Sequence, residues 1–254
     1  MEKYAVITGA SAGLGVEFAK RLSAKGYKLV LVARRKERLQ KLAKHLKTEC
    51  EVIAADLTKE PECYRVFDAV KEKEIAVFIN NAGFGDCGKF TESDLDKEIS
   101  MIQLNIKAVH LFTKLILKKM QEKDSGYILN VASCAGLMPA GPYMAAYYAT
   151  KAYVTSLTRA VAEELREDGS HVYVGCLCPG PVNTEFNRVA NVKFMLKGIS
   201  ASYCVRYALN QMAKRKVVII PTLSMKLAMT FGRFLPGNVY VRIAAKQQER
   251  KKQG

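Results

Sequence analysis

The sequence predicts a doubly wound α/β fold, a parallel sheet covered by helices on both faces. Three observations predict it. Short β-branched runs alternate with longer segments of helical period, the runs are nearly continuous in Val, Ile and Leu, and three glycines fall where the first run gives way to the first helical segment. The runs are Tyr4–Thr8, Lys28–Ala33, Glu51–Ala55, Ile75–Asn80, Gly126–Ser133, His171–Cys178 and Val217–Pro221, and the helical segments between them include Gly15–Lys25 and Glu37–Lys47. A strand that is apolar on both faces must be covered on both, which a crossover helix after every strand achieves.

The chain has 254 residues, 49% of them apolar, enough for one sizeable core. No internal repeat, linker or composition shift interrupts it before the last thirty or so residues. A single domain over residues 1–254 is expected, with a flap at about 185–203 and a basic C-terminal extension at about 223–254. Seven cysteines without a Cys-x-x-Cys pair, and three dispersed histidines (His45, His110 and His171), fit reduced thiols and no metal site. Met1–Val6 enters a strand pattern at once, without the features of a secretory signal, and no apolar run approaches the roughly 18 residues of a membrane span. A soluble, cytoplasmic protein is expected. The net charge of +16 reads as a solvated surface with a basic tail, or else as a field that steers an anionic cofactor. No nucleic-acid motif lies among the basic residues, so nucleic acid is not an expected partner.

The first run leads into Thr8-Gly9-Ala10-Ser11-Ala12-Gly13-Leu14-Gly15. At a first strand-to-helix turn the chain must bend sharply, admit a pyrophosphate to its backbone and pack helix on strand, while the helix N-terminus offers unpaired N–H groups. Gly9, Gly13 and Gly15, with Ser11 and Leu14 between them, are therefore candidate cofactor contacts in a Rossmann arrangement. The second run ends at Ala33 and is followed by Arg34, Arg35 and Lys36, where an acid would hold the 2′-hydroxyl of NAD. A guanidinium grips a 2′-phosphate instead, so NADP(H) is the expected cofactor, with Arg34, nearest the strand end, the better placed of Arg34 and Arg35.

Tyr147 and Lys151 stand four residues apart in a segment of helical period that extends to Glu167, so both side chains share one face. An ammonium beside a phenol favours the phenolate and brings its pKa toward the range where a proton moves either way. Tyr148 has Ala152 at that spacing and Tyr143 has Tyr147, so Tyr147 alone has a lysine there. Ser133 closes its strand at the carboxyl edge of the sheet, where a hydroxyl can support charge on a substrate oxygen.

Taken together, these motifs resemble the short-chain dehydrogenase/reductase family along nearly the whole chain. The glycine loop resembles its Thr-Gly-x-x-x-Gly-x-Gly, Asn80-Asn81-Ala82-Gly83 its Asn-Asn-Ala-Gly, and Tyr147 with Lys151 its Tyr-x-x-x-Lys. The resemblance implies Tyr147 as proton donor and acceptor, Lys151 as its partner and holder of the nicotinamide ribose, Ser133 orienting the carbonyl oxygen, and Asn105 supporting Lys151 through a water. It also implies cofactor contacts at Asp56 and Leu57 for the adenine, at Asn81, Ala82 and Gly83, and at Pro179, Gly180, Val182 and Thr184 for the nicotinamide carboxamide. A homodimer or homotetramer is implied as well. Two departures stand out: the Ser133-to-Tyr147 spacing is one residue longer than usual, which Pro139–Pro142 absorbs as a loop, and Ala12 replaces a basic residue common in NADP users.

Beyond Thr184, Glu185 to Val189 and the apolar Val192, Phe194, Met195, Leu196 and Ile199 resemble a mobile substrate flap, or else complete the core. The expected function is an NADP-dependent oxidoreductase acting on a small hydrophobic carbonyl or secondary alcohol, of hydroxysteroid or 3-oxoacyl type. The alternative is a catalytically silent NADP(H)-sensing regulatory protein. The segment Leu223 to Ala245, with Lys226 and Arg233, leads into the basic Lys246–Lys252. It is open to three readings: a helix on an acidic membrane, a cap on the substrate mouth, or a subunit interface. Amphipathic segments more often face their own core.

Overall fold

The computed structural model describes residues 2–190, 198–232 and 234–252, with backbone alone at 187, 188, 247, 248 and 250–252. The chain runs through β1 (Tyr4–Thr8), α1 (Gly13–Ala24), β2 (Lys28–Ala33), α2 (Lys36–Ala43), β3 (Cys50–Ala54), α3 (Glu60–Val70) and β4 (Ile75–Asn80). It continues through α4 (Leu95–Ile102), a π-helical turn at Gln103–Ala108, α5 (Val109–Gln121) and β5 (Gly126–Val131). A 3-10 turn at Cys134–Leu137 precedes the long α6 (Ala145–Glu167) and β6 (Val172–Leu177). After these come β7 (Val182–Asn183), α7 (Phe186–Val189), β8 (Ile199–Ser200), α8 (Ala201–Ala213), β9 (Val218–Ile219), α9 (Leu223–Gly232) and α10 (Gly237–Lys252).

Seven strands pair in the order β3-β2-β1-β4-β5-β6-β9, all parallel, and β7 and β8 form a separate parallel pair. Strand order reverses between β1 and β4, which opens a crevice at the carboxyl ends of the strands. Alternation along β1 sends Ala5 and Ile7 to one face and Val6 to the other. On the first face Ile7, Leu29 and Leu31 pack with Phe18 and Leu22 of α1 and Leu209 of α8. On the second, Val6, Val30 and Phe78 meet Val66 of α3 and Phe112 and Ile116 of α5. Each such fully buried side chain contributes about 1.5–3 kcal/mol.

The expected strands and helices are present, with shifted ends. The third strand starts at Cys50 and ends at Ala54, and the last is only Val218–Ile219. The fifth stops at Val131 because the Ser133 hydroxyl accepts the Ala135 N–H (3.1 Å) and starts the 3-10 turn. The second helix ends at Ala43, short of Lys47, and the Ser23 hydroxyl then takes the N–H groups of Lys47 (2.9 Å) and Thr48 (3.1 Å). Pro139–Pro142 lies in the irregular stretch before α6, as the spacing predicts.

A buried polar network ties the middle of the sheet to its helices. Asn80 and Asn130 are register partners on β4 and β5, and Asn80 Nδ2 donates to Asn130 Oδ1 (2.8 Å). Thr113 of α5 also donates to Asn130 Oδ1 (3.2 Å), and Asn130 Nδ2 donates to Thr158 Oγ1 of α6 (3.0 Å). All four side chains are buried. Asn130→Leu removes the acceptor shared by Asn80 and Thr113 and the donor to Thr158 in a dry layer, leaving only the Asn80–Thr113 and Thr158–Val154 bonds. It is expected to lower the unfolding free energy by about 2–4 kcal/mol. Urea unfolding checks this, and a midpoint unchanged from the parent protein would show that the network adds no net stability.

Candidate active site

The carboxyl ends of the strands surround a cleft of about 430 Å³. Of the site residues expected from sequence, all line it except Gly15 and Asn105. Gly9 (φ +65°) and Gly13 (φ +54°) take the left-handed backbone conformation that lets β1 turn sharply into α1. A Cβ on Gly13 would crowd Thr184 Cβ at 3.2 Å, and a Cβ on Gly15 would collide with the Gly9 carbonyl, so Gly15 serves the packing of helix on strand. Thr8 Oγ1 accepts the N–H groups of Asn81 (2.9 Å) and Ala82 (3.0 Å), while Asn81 Nδ2 donates to the Thr8 (2.9 Å) and Gly9 (3.2 Å) carbonyls. Asn81 thus braces the loop from behind, and Ala82, Gly83 and Phe84 carry the wall onward.

Helix α6 brings Tyr147 and Lys151 to the floor, both buried. The Lys151 ammonium donates to the Val131 carbonyl (2.9 Å) where β5 ends and lies 5.9 Å from the Tyr147 ring centroid. Burial lowers the Lys151 pKa from its ordinary value to about 8. The sequence-based expectation of a lowered Tyr147 pKa is not met. Burial pushes the phenol up, and the facing Ser133 hydroxyl is the group that opposes the rise. The reason is dielectric: the same dry surroundings penalise phenolate and ammonium alike.

Asn105 sits in the π-helical turn, wholly buried. Its Nδ2 donates to the Phe84 carbonyl (2.9 Å) and Thr150 Oγ1 (3.1 Å), and its Oδ1 accepts the Phe84 N–H (3.2 Å). Its side chain therefore clasps the wall loop to the residue preceding Lys151. A Cβ on Gly83 would meet Asn105 Oδ1 at 2.9 Å and Lys151 Nζ at 3.4 Å, which is why a glycine passes between them.

At the far end of the cleft lie Arg34, Arg35, Asp56 and Leu57. Arg35, rather than Arg34, is held on the glycine loop, donating to Ser11 Oγ from Nε (3.3 Å) and Nη2 (3.2 Å). Two residues missed in the sequence join it. Arg38 Nη1 donates to Glu185 Oε1 (2.8 Å), and Arg35 Nη1 donates to Glu185 Oε2 (3.1 Å). Arg38 and Arg35 lower the Glu185 pKa. Arg34, Arg35 and Lys36 stand where an acid would follow the end of β2, yet the fold delivers one, Glu185, to this corner. Asp56 is turned to Thr58, accepting its hydroxyl (2.9 Å) and N–H (3.2 Å).

The turn bearing Pro179, Gly180, Val182 and Thr184 closes the third side, with the Pro179 carbonyl accepting the Cys134 N–H (2.9 Å). Phe84, Met138, Met144, Tyr148, Phe186 and Met225 make the remaining wall apolar, and the Phe186 ring is 5.5 Å from that of Tyr147. Of the expected flap, Val192, Phe194, Met195 and Leu196 lie outside the described residues, as does Arg233 of the C-terminal segment. Ile199 is in β8, half-buried. The arrangement fits a nicotinamide dinucleotide: cations at one end, glycines that allow close backbone approach in the middle, and a phenol, a hydroxyl and an ammonium converging at the other.

Comparison with known proteins agrees with this geometry. Residues 3–193 match the family model for short chain dehydrogenase. An uncharacterized oxidoreductase of Staphylococcus epidermidis is 34% identical over 214 residues, covering 83% of this chain and 92% of that protein. A very-long-chain 3-oxoacyl-CoA reductase of Anas platyrhynchos is 34% identical over 75% of this chain and 63% of its own length. A solved short-chain dehydrogenase from Sphingobium yanoikuyae in complex with NADPH superposes with a TM-score of 0.82 at 30% identity, covering 91% of this chain and 93% of that one. A similar fold, a 3-ketoacyl-(acyl-carrier-protein) reductase from Brucella melitensis, is solved with NADH. The chain belongs to the short-chain dehydrogenase/reductase family.

Proposed function

We propose that the chain is an NADP-dependent reductase or dehydrogenase that interconverts a carbonyl and a secondary alcohol on a hydrophobic substrate of hydroxysteroid or 3-oxoacyl type. The observation that carries this reading is the convergence of Tyr147, Lys151 and Ser133 on one buried floor of the cleft. A phenol carries its proton at neutral pH, so Tyr147 can donate to the substrate oxygen in reduction and take the proton back in oxidation; burial makes it a weaker acid, which the Ser133 hydroxyl opposes. Ser133 orients that oxygen, and the Lys151 ammonium supports charge as the proton leaves. Asn105 is a positioning residue, fixing the wall loop and Thr150 around Lys151.

The cofactor supplies the hydride, and the chain supplies its seat. The glycine loop with Gly9, Ser11, Gly13 and Leu14 takes the pyrophosphate, Asp56 and Leu57 flank the adenine, and Asn81, Ala82 and Gly83 line the path to the nicotinamide. The turn at Pro179, Gly180, Val182 and Thr184 takes the carboxamide, and Arg34 and Arg35, joined by Arg38, face the 2′-phosphate. The apolar wall of Phe84, Met138, Met144 and Phe186 supports a hydrophobic substrate.

Tyr147→Phe is expected to keep NADPH binding and lose turnover by on the order of a hundredfold or more, measured as NADPH oxidation at 340 nm over ketosteroids, 3-oxoacyl thioesters and aromatic ketones. Near-normal turnover would remove Tyr147 from the mechanism, and NADPH binding with no turnover of any substrate by the parent protein would favour a sensor. Replacing Arg34 and Arg35 with alanine should weaken NADPH far more than NADH, whereas equal weakening would overturn the phosphate assignment.

Lys151 supports a third expectation, about stability. Its folded pKa lies below the unfolded value of 10.5, so the folded state holds the proton less readily and bears a cost of roughly 3 kcal/mol at neutral pH. That cost is present in full below about pH 8 and fades as pH rises toward 10.5. Lys151→Met also loses the bond to Val131, worth about 1 kcal/mol. It should therefore stabilise the protein at pH 7 by about 1–3 kcal/mol, less at pH 10, while abolishing turnover. Destabilisation at pH 7 in urea titrations would show that the ammonium is a structural asset.

A further inference from the structure

Helices α9 and α10 close on each other through one face each. The Tyr240 ring packs on Gly232, its hydroxyl reaches Met229 Sδ (3.9 Å), and Met229, Gly232 and Ala244 are buried. The opposite faces are bare. On α9, Leu223 (71% exposed), Leu227 and Phe231 (65%) recur every four residues and so share one side. Phe234, in the turn between the helices, is 81% exposed, and Val239 and Ile243 form an exposed row on α10. The segment therefore packs one apolar face on the protein and leaves the other outside the core. Lone exposed hydrophobic residues are ordinary on a surface; rows of them on two joined helices mark an interaction site.

Charge decides between partners. Residues 223–254 carry seven basic residues against Glu249 alone, so about an eighth of the chain holds +6 of its +16. Glu249, itself exposed, accepts the Tyr143 hydroxyl (2.7 Å). Lys226, Arg242 and Lys246 are exposed and form no ion pair with the described residues. Two copies meeting through this face would set like charge against like. A bilayer with acidic headgroups offers apolar depth to the Leu and Phe rows and anions to the bases beside them. No helix among the described residues is long and apolar enough to cross a membrane, so the fitting mode is lying on the surface. The same α9 sends Met225 into the cleft wall, against Gly180.

We propose that the outer faces of α9 and α10 form a docking surface for an acidic lipid bilayer, which sets the mouth of the cleft against the membrane. The test is co-sedimentation of the full chain with vesicles of phosphatidylcholine alone or with one third phosphatidylglycerol. Partitioning onto the acidic vesicles, reduced at least tenfold in Phe231→Ser/Phe234→Ser and also reduced in Arg242→Glu/Lys246→Glu, is the expected result. Both variants should keep parental circular dichroism and NADPH binding, which separates a lost surface from a lost fold. Failure of the parent protein to partition, or undiminished partitioning of the phenylalanine variant, would overturn the proposal. A parental dimer in light scattering that Phe231→Ser/Phe234→Ser converts to monomer, with no vesicle binding, would assign the face to a second copy and overturn it too.

Discussion

An ammonium buried beneath a phenol is the constraint on which the site depends. Lys151 is charged below about pH 8 in surroundings that penalise charge, and the described structure gives its Nζ one hydrogen bond, to the Val131 carbonyl. The rest of the local architecture keeps that carbonyl and that helix in place. β5 must leave the sheet at Val131, which the Ser133 hydroxyl arranges by starting a turn. The turn must come close to α6, and does so at Gly136, where a Cβ would collide with the Lys151 carbonyl. Helix α6 must hold its height over the sheet, which the Asn130–Thr158 bond fixes from below. Remote packing and polar pairing thus fix where the Tyr147 and Lys151 side chains stand relative to each other, the kind of positioning through which a fold can contribute to catalysis.

Much of this was legible in the sequence because the information is local. Period and composition mark strands and helices, a helix fixes the geometry of residues four apart, and a glycine needed for positive φ, such as Gly9, stands in the text as a glycine. What was not legible is long-range or dielectric. Glu185 reaches Arg35 across 150 residues, and nothing near either residue announces the pairing. Arg38 left a faint signal, a further basic residue in the first turn of α2 close behind Arg34, Arg35 and Lys36, but basic residues at helix starts are common. The Tyr147 pKa was misjudged in sign because sequence spacing shows the lysine and not the burial. Spacing reports the attraction between two groups, and only the packed structure reports the penalty both incur by leaving water.

The cleft is polar and cationic at the Arg34–Arg35 end, apolar at the Met144–Phe186 end, and sharply divided at Tyr147. That division suits a ligand that carries phosphates on one side and hydrocarbon on the other. The apolar end is contiguous, through Met225, with the helix whose outer rows are bare.

Glu185 sharpens the argument about the cationic end. A carboxylate on Arg35 and Arg38 looks at first like a substitute for the acid that would select NAD. On the proposed reading it does not act as one. Glu185 is 35% exposed and the Arg35 and Arg38 side chains are 43% and 47% exposed, so water and salt screen the pairs heavily. A phosphate brings more charge and three acceptor oxygens to the same forks, one of which is already aimed through Ser11 at the glycine loop. A carboxylate selecting for a ribose hydroxyl must be held rigidly by its own strand, and Glu185 instead stands at the entrance to α7, in the segment expected to move. The two arginines are thus paired loosely enough to be taken by a stronger anion, and the corner keeps its net positive charge when Arg34 is counted.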